Sequence, residues 1–326
     1  MVEPGFEKGV MRVIICTIVT APFWFFQVSV ITFLIHSRRK KYESYTTTFF
    51  LLFIMLSITD TISQINNFMG QRIIEFPYIR QFVISSSTYS SIIYLCTAYL
   101  LYTQCFFHFS IAINRIWSVY SMLTPVSKRL NNIGKTAIFI IPLLPLPFLL
   151  PRFFFTAIYF VNNDDTLSLK YTDTGIQKYQ STVATCIIFF TAMPTFVIEL
   201  ITVRKYQKLL KTHTVNVKKC TQEYRLLWQA LFSLIIQVLV CIFQIMIYVS
   251  TLVGNTTLFA MIMSLYSYNA DLLNLTGSVS LIVVSSHVRK DYIRFWLNVF
   301  GKCQTETHST SGKSLTTRVS VIKVSK

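Results

Sequence analysis

Seven nearly uncharged runs divide this chain of 326 residues, and they constrain its fold more than any other feature. Water is absent from a bilayer core, so a chain crossing it as a helix must close its own backbone hydrogen bonds over about 20 apolar residues. The first run, Val13 to Ile35, stops at Arg38, Arg39, Lys40 and Lys41. The second, Thr46 to Asn66, carries one acid, Asp60. The third lies inside an uncharged stretch from Gln81 to Asn114, which exceeds one span and predicts a tilted helix or an ordered lead-in to a core at 87–113. The fourth, Thr136 to Pro151, holds Pro142, Pro145, Pro147 and Pro151 and is expected to kink, with its end extending through Phe153 to Val161. Ser181 to Val203, with Pro194 and Glu199, is the fifth; Leu226 to Val253 and Leu258 to Ser286, with Asp271, complete the set.

The fold class expected is an all-α membrane protein, a seven-transmembrane helix bundle with a short in-plane helix after the seventh span. Charged residues make up 13% of the chain and apolar ones 53%, against about 25% charge in soluble domains. A net charge of +17 suggests nucleic acid only where the cations form one stripe among polar neighbours, and in this chain they are scattered between the runs. Alternate connecting regions hold 23 of the 30 Lys and Arg, so the positive-inside rule expects residues 1–12 to be extracellular and the C-terminus cytoplasmic. The first run is too long for a cleaved signal and reads as an uncleaved anchor. After the seventh run, Val288, Tyr292, Phe295 and Val299 recur opposite Arg289, Lys290 and Arg294, the pattern of an amphipathic helix over 287–300. Cys303 just beyond it is a candidate for palmitoylation, or a plain free thiol, and 301–326 is expected to be a disordered, phosphorylatable tail.

Catalytic constellations are missing. The five histidines fall in different elements, and no metal, nucleophile or phosphate-loop motif occurs, so neither an enzyme nor a cofactor is expected. No extracellular disulfide is evident among the seven cysteines, and the Asn255 sequon sits in a very short loop.

Intramembrane polar residues carry the functional expectations, because a charge there is costly. Asp60 and Asp271, with Asn269 and Asn274 nearby, fall near mid-span, where they can face one polar cavity as a cation or proton site or as a water-linked hinge, the other reading being one acid protonated and hydrogen-bonded to a neighbouring helix. Glu199, near Arg204 and Lys205, reads as snorkelling to the interface. Arg115 ends the third span, and His108 reads as a hydrogen-bonded structural histidine. Tyr89, Tyr94, Tyr99, Tyr102, Gln104, Tyr266 and Tyr268 suit a mostly apolar pocket with a few polar contacts, and equally suit ordinary helix packing.

The order of these features, with Ile111-Ala112-Ile113-Asn114-Arg115, Leu56-Ser57-Ile58-Thr59-Asp60 and the close Leu281 to Arg289, resembles the G-protein-coupled receptor superfamily, and more closely the nematode serpentine chemoreceptors of the Srg superfamily, class gamma. The resemblance runs to about Gly301. It implies a plasma-membrane receptor for a small odorant or pheromone-like ligand, coupled to a heterotrimeric G protein. Arg115 then matches the arginine of the Asp-Arg-Tyr motif, with Asn114 and Ile116 in the flanking places, and Arg204, Lys205 and Lys208 contribute to the coupling loop. The seventh span has neither the Asn-Pro-x-x-Tyr proline nor a lysine for retinal. A ligand-gated channel or transporter using Asp60 and Asp271 is the alternative.

Overall fold

The computed structural model describes residues 4–42, 45–123, 136, 138–161, 167–212 and 217–305. The chain runs α1 (Pro4–Arg39), α2 (Thr48–Asn67), a π turn (Phe68–Arg72), α3 (Pro77–Ser85), α4 (Ser87–Leu123), α5 (Leu146–Leu149), strands β1 (Ala157–Val161) and β2 (Leu167–Tyr171), then α6 (Thr174–Thr212), α7 (Val217–Val253), α8 (Thr256–Val284) and α9 (Ser286–Thr305). Five stretches are long and apolar enough to cross a membrane as single helices: Val13–Arg39, Thr48–Glu75, Ser87–Ser121, Thr174–Leu209 and Leu227–Val253. The seventh expected span, α8, forms a pair with α9, which bends away from it by 96° at Ser285. The tail from residue 306 and the side chain of Cys303 lie outside the described residues.

Polarity is reversed relative to a soluble protein. Gln27, Asp60, Gln64, Asn67, Gln104, Arg115, Glu199 and Asn274 are buried, while Phe25 is 77% exposed and Phe190 69%. A soluble monomer rarely exposes so much contiguous apolar surface; in hydrocarbon that surface is solvated, and the polar groups turn inward to find partners. α4 lies at the centre of the packing, against α2 on one side and α6 on the other, while α7 joins α6 to α8 and α1 leans on α2 and α8. The ordered lead-in expected before the third span is α3, which ends at Ser85 just ahead of α4.

The fourth segment departs from expectation. Proline supplies no amide hydrogen, and four of them in ten residues prevent a continuous i to i−4 ladder. The chain uses tighter turns: the amides of Leu143, Leu144 and Phe148 donate to Ile140, Ile141 and Pro145 at 2.9–3.1 Å. The apolar helix covers only Ile141–Phe154. Its expected extension to Val161 is a strand instead, because Ile158, Tyr159, Phe160 and Val161 are β-formers, paired antiparallel from Ala157↔Tyr171 to Val161↔Leu167. This hairpin covers the end of the bundle where α4 begins, with the Tyr159 hydroxyl donating to the Gly70 carbonyl at 2.7 Å and the Ala157 amide donating to Ser91 Oγ at 2.8 Å.

Gly70 permits that close approach. A Cβ there would sit 2.5 Å from Ile93 Cγ2 on the β-branched Ile93 side chain. Gly70→Ala is expected to destabilise the protein by about 1–3 kcal/mol through overpacking, read as a lower midpoint of thermal unfolding in detergent. The added substitution Ile93→Ala should recover part of the loss.

At the opposite end, α9 is held by aromatic and hydroxyl contacts. The Tyr292 hydroxyl and Ser29 Oγ are 2.6 Å apart, and the Tyr45 hydroxyl donates to Asp291 Oδ2 at 2.8 Å. Burial, with the Asp291 carboxylate beside it, pushes the Tyr45 phenol well above its ordinary pKa, so it remains a neutral donor.

Candidate functional site

The 37-residue helix α4 carries three groups of functional side chains, one above another. Tyr94, Ala98 and Tyr102 recur at spacings of four residues and so share a face. They line a cavity of about 50 Å³ that also meets Gln180 on α6, Gln244 on α7 and Tyr266 on α8. That volume admits roughly four water-sized positions. Among the described residues no charged side chain lines the cavity. The hydroxyls of Tyr102, Tyr266 and Ser181 and the Oε1 of Gln180 have no hydrogen-bond partner among those residues. Buried polar atoms without partners are rare in native proteins, and four around one small cavity mark it as a place for a guest with hydrogen-bonding capacity. Of the pocket residues expected from sequence, Tyr94, Tyr102 and Tyr266 take part, whereas Tyr268 is 46% exposed on the outside of α8. Its position two residues after Tyr266 turns it about 200° around the helix.

Gln104, also expected in the pocket, belongs to the next group. Its Nε2 donates to Asp60 Oδ1 at 2.8 Å and to Asn274 Oδ1 at 2.5 Å, and Asn274 Nδ2 donates in turn to Ser63 Oγ at 3.4 Å. One amide therefore ties α4 to α2 and α8. Asp60, Ser63, Gln64 and Asn67 form a stripe on α2, at the spacing that keeps residues on one helix face. Gln64 extends the network to α1 through Gln27 Oε1 at 2.9 Å, and Gln27 Nε2 reaches the Ser57 carbonyl at 3.1 Å.

Asp271 does not join Asp60 across a shared cavity. It is ion-paired with Arg72, whose other arm donates to Thr20 Oγ1 at 3.1 Å. The π turn Phe68–Arg72 inserts an extra residue into the helical path after α2 and brings this guanidinium to α8, which a residue count cannot anticipate. Both side chains are largely buried, 12% and 14% exposed. An acid already paired with an arginine is poorly placed to line a cation path, which weighs against the channel alternative.

The third group lies near the far end of α4. Arg115 is fully buried, with its guanidinium carbon 3.5 Å from the centre of the Phe49 ring. Glu199 on α6 is buried as well. The snorkelling expected of Glu199 is thus corrected: the spacing that brings residue 199 close to Arg204 in sequence places its side chain on the inner face of α6. Asn114 is half-buried, Arg204 and Lys208 are exposed, and Lys205 lies over the Tyr120 ring at 3.6 Å. His108 is buried, but its Nε2 makes no hydrogen bond among the described residues, contrary to the satisfied histidine expected.

No group of three or more potential metal ligands occurs among the described residues. Asn255 caps α8 by accepting from the Leu258 amide at 3.0 Å, which gives that asparagine a structural use.

The described residues thus form an apolar-surfaced helical bundle with a small cavity at one end, a buried arginine toward the other and a polar network between them. Residues 13–296 match the model of the serpentine type 7TM GPCR chemoreceptor Srv, and the chain belongs to that family. The class implied by the sequence resemblance is gamma; the model that matches is Srv. A search of the curated proteins finds no match.

Proposed function

We propose that this chain is a plasma-membrane chemosensory receptor that binds a small external molecule in the cavity lined by Tyr94, Tyr102 and Tyr266 and passes the event to a heterotrimeric G protein at the Arg115 end. The observation that carries this reading is the alignment of cavity, polar hub and buried arginine on α4. Tyr94 and Arg115 are separated by about 30 Å of helix, close to the thickness of the hydrocarbon core. The hairpin end faces outward in this reading, and α9 lies along the cytoplasmic surface. A ligand shifts such a bundle only by its differential affinity for two arrangements. Asp60, Gln104 and Asn274 are the groups whose hydrogen bonds must change when α2, α4 and α8 move, and Asp271 with Arg72 restrains α8 against the α2 end. Arg204, Lys205 and Lys208 supply positive charge for an acidic partner surface, and a palmitoylated Cys303 would add a second anchor beside α9.

Arg115→Ala, purified and reconstituted in nanodiscs with heterotrimeric G protein, is expected to lower receptor-stimulated nucleotide exchange by about tenfold or more, the consequence of removing a group needed in the coupled state. Incorporation of the protein into lipid and its thermal midpoint are measured beside it. Exchange equal to that of the unsubstituted receptor, with intact folding, removes Arg115 from the mechanism.

A further inference from the structure

Arg152 reads as a loop cation in the sequence, yet its side chain is 2% exposed. It sits in the last turn of the fourth segment, Leu150–Phe154, where the chain leaves the bundle for β1. Its Nε donates to the Tyr171 hydroxyl at 2.9 Å and its Nη2 to the Tyr94 carbonyl at 3.3 Å, with the guanidinium 5.4 Å from the centre of each tyrosine ring. The remaining arm, Nη1, is buried and has no hydrogen-bond partner among the described residues.

Among the described residues no carboxylate balances this cation. Arg72 pairs with Asp271, and His287 with Asp291. Asp173, two residues past Tyr171, has Oδ1 on the Ile176 amide, where it opens α6. A buried arginine surrounded by a carbonyl, a phenol and two aromatic rings has no counter-ion among the described residues. Removing a guanidinium from water without an opposite charge is among the most costly arrangements a protein can hold.

The cavity shares Tyr94 with this site. Tyr94 contributes its carbonyl to Arg152 and its side chain to the cavity lining, and Gln177, another lining residue, donates to the Tyr94 hydroxyl at 3.4 Å. Tyr94 thus joins the Arg152 site to a cavity whose own walls are neutral and mostly apolar. The matching guest has one negative group at one end and a few apolar atoms at the other.

We infer that the ligand of this receptor is a small organic monoanion, a carboxylate on a short apolar body, with the carboxylate on Arg152 Nη1 and the body in the cavity. A guanidinium is suited to a carboxylate, since its planar donors match the two oxygens, and the ion pair supplies a charge balance that the described residues do not. An amine of the same size meets the same charge and is rejected. This rests on the cavity being the ligand site, as proposed above.

The test uses the full chain in nanodiscs and three matched probe series of four to eight carbons: straight-chain carboxylates, their methyl esters and the corresponding alkylammonium ions. Binding is read as a concentration-dependent rise in thermal midpoint. The expected result is stabilisation by one or more carboxylates, with esters weaker and alkylammonium ions inert. Arg152→Gln should raise the half-saturating carboxylate concentration by about tenfold or more, the loss typical of a hydrogen bond to a charged group. Arg152→Lys, which retains the charge and is the safer variant for folding, should retain part of the carboxylate preference over esters. Ala98→Trp, which fills the cavity, should abolish every response. Esters that bind as well as carboxylates, and are blocked by Ala98→Trp, leave the cavity reading standing and overturn the anion site. Stabilisation by chloride alone to the same extent also overturns it, since the charge is then balanced by a simple ion. Probes that bind the Ala98→Trp protein unchanged, or an absence of response to all three series, contradict the cavity and the anion site together.

Discussion

Arg72→Ala is expected to lower the stability of the bundle by about 3 kcal/mol, the low end of the range for breaking a buried ion pair from one side. The substitution leaves Asp271 largely buried on α8 with its cationic partner gone, and it also removes the hydrogen bond that ties the π turn to Thr20 on α1. Three helices lose a common fastening at once. The double substitution Arg72→Ala with Asp271→Ala should be much less harmful than the sum of the two single ones, because the uncompensated charge is gone. A double-mutant cycle on the midpoint of chemical or thermal unfolding in detergent measures that coupling. Additive losses would show that the pair contributes nothing beyond its separate contacts, and the role of Asp271 as a restraint on α8 would fall with it.

Glu199→Gln is expected to raise ligand-independent nucleotide exchange. Glu199 is buried on α6 and Arg115 on α4, and the neutral amide preserves the shape of Glu199 while removing its capacity for negative charge from the bundle interior. A loss of about 1–2 kcal/mol from the resting arrangement shifts a two-state ratio roughly 5–30-fold. Basal exchange measured in nanodiscs should rise accordingly, and the further substitution Arg115→Ala should remove the gain. Unchanged basal exchange, with Arg115→Ala still impaired, would leave Arg115 with a coupling role and deny Glu199 a restraining one.

The bundle is legible in the sequence because lipid imposes a strong and simple rule: a run of about 20 apolar residues has few alternatives to a helix. Depth is legible for the same reason, and Asp60 does lie in the core. Partners are less so. Helical spacing from Asp60 to Ser63, Gln64 and Asn67 marks a polar stripe on one face of α2, and that stripe is the one sequence signal of the network. The pairing of Asp271 with Arg72 depends on a π turn, whose single extra residue leaves no mark on a hydropathy pattern.

The cations explain the largest difference. A positive-inside count treats each arginine as loop charge, yet Arg115 and Arg152 are buried in the bundle and Arg72 is largely so. Spans that begin or end at a charge in sequence continue through it in space, since an arginine at a helix end can turn inward when rings or carbonyls receive it. The fourth segment shows the opposite limit. Its prolines announce a break, but the strand that follows reads as more helix, because a short apolar run of β-branched and aromatic residues fits either until a pairing partner is known.

Signalling from an external ligand to an internal G protein requires the cavity and Arg115 to lie on opposite sides of the membrane, with the cavity end outward. Epitope tags at Met1 and Lys326, stained in intact and then permeabilised cells, test that geometry directly. Labelling of the first tag on intact cells and of the second only after permeabilisation is the expected result. Both tags reached from one side of the membrane, or the C-terminal tag alone on intact cells, would contradict it.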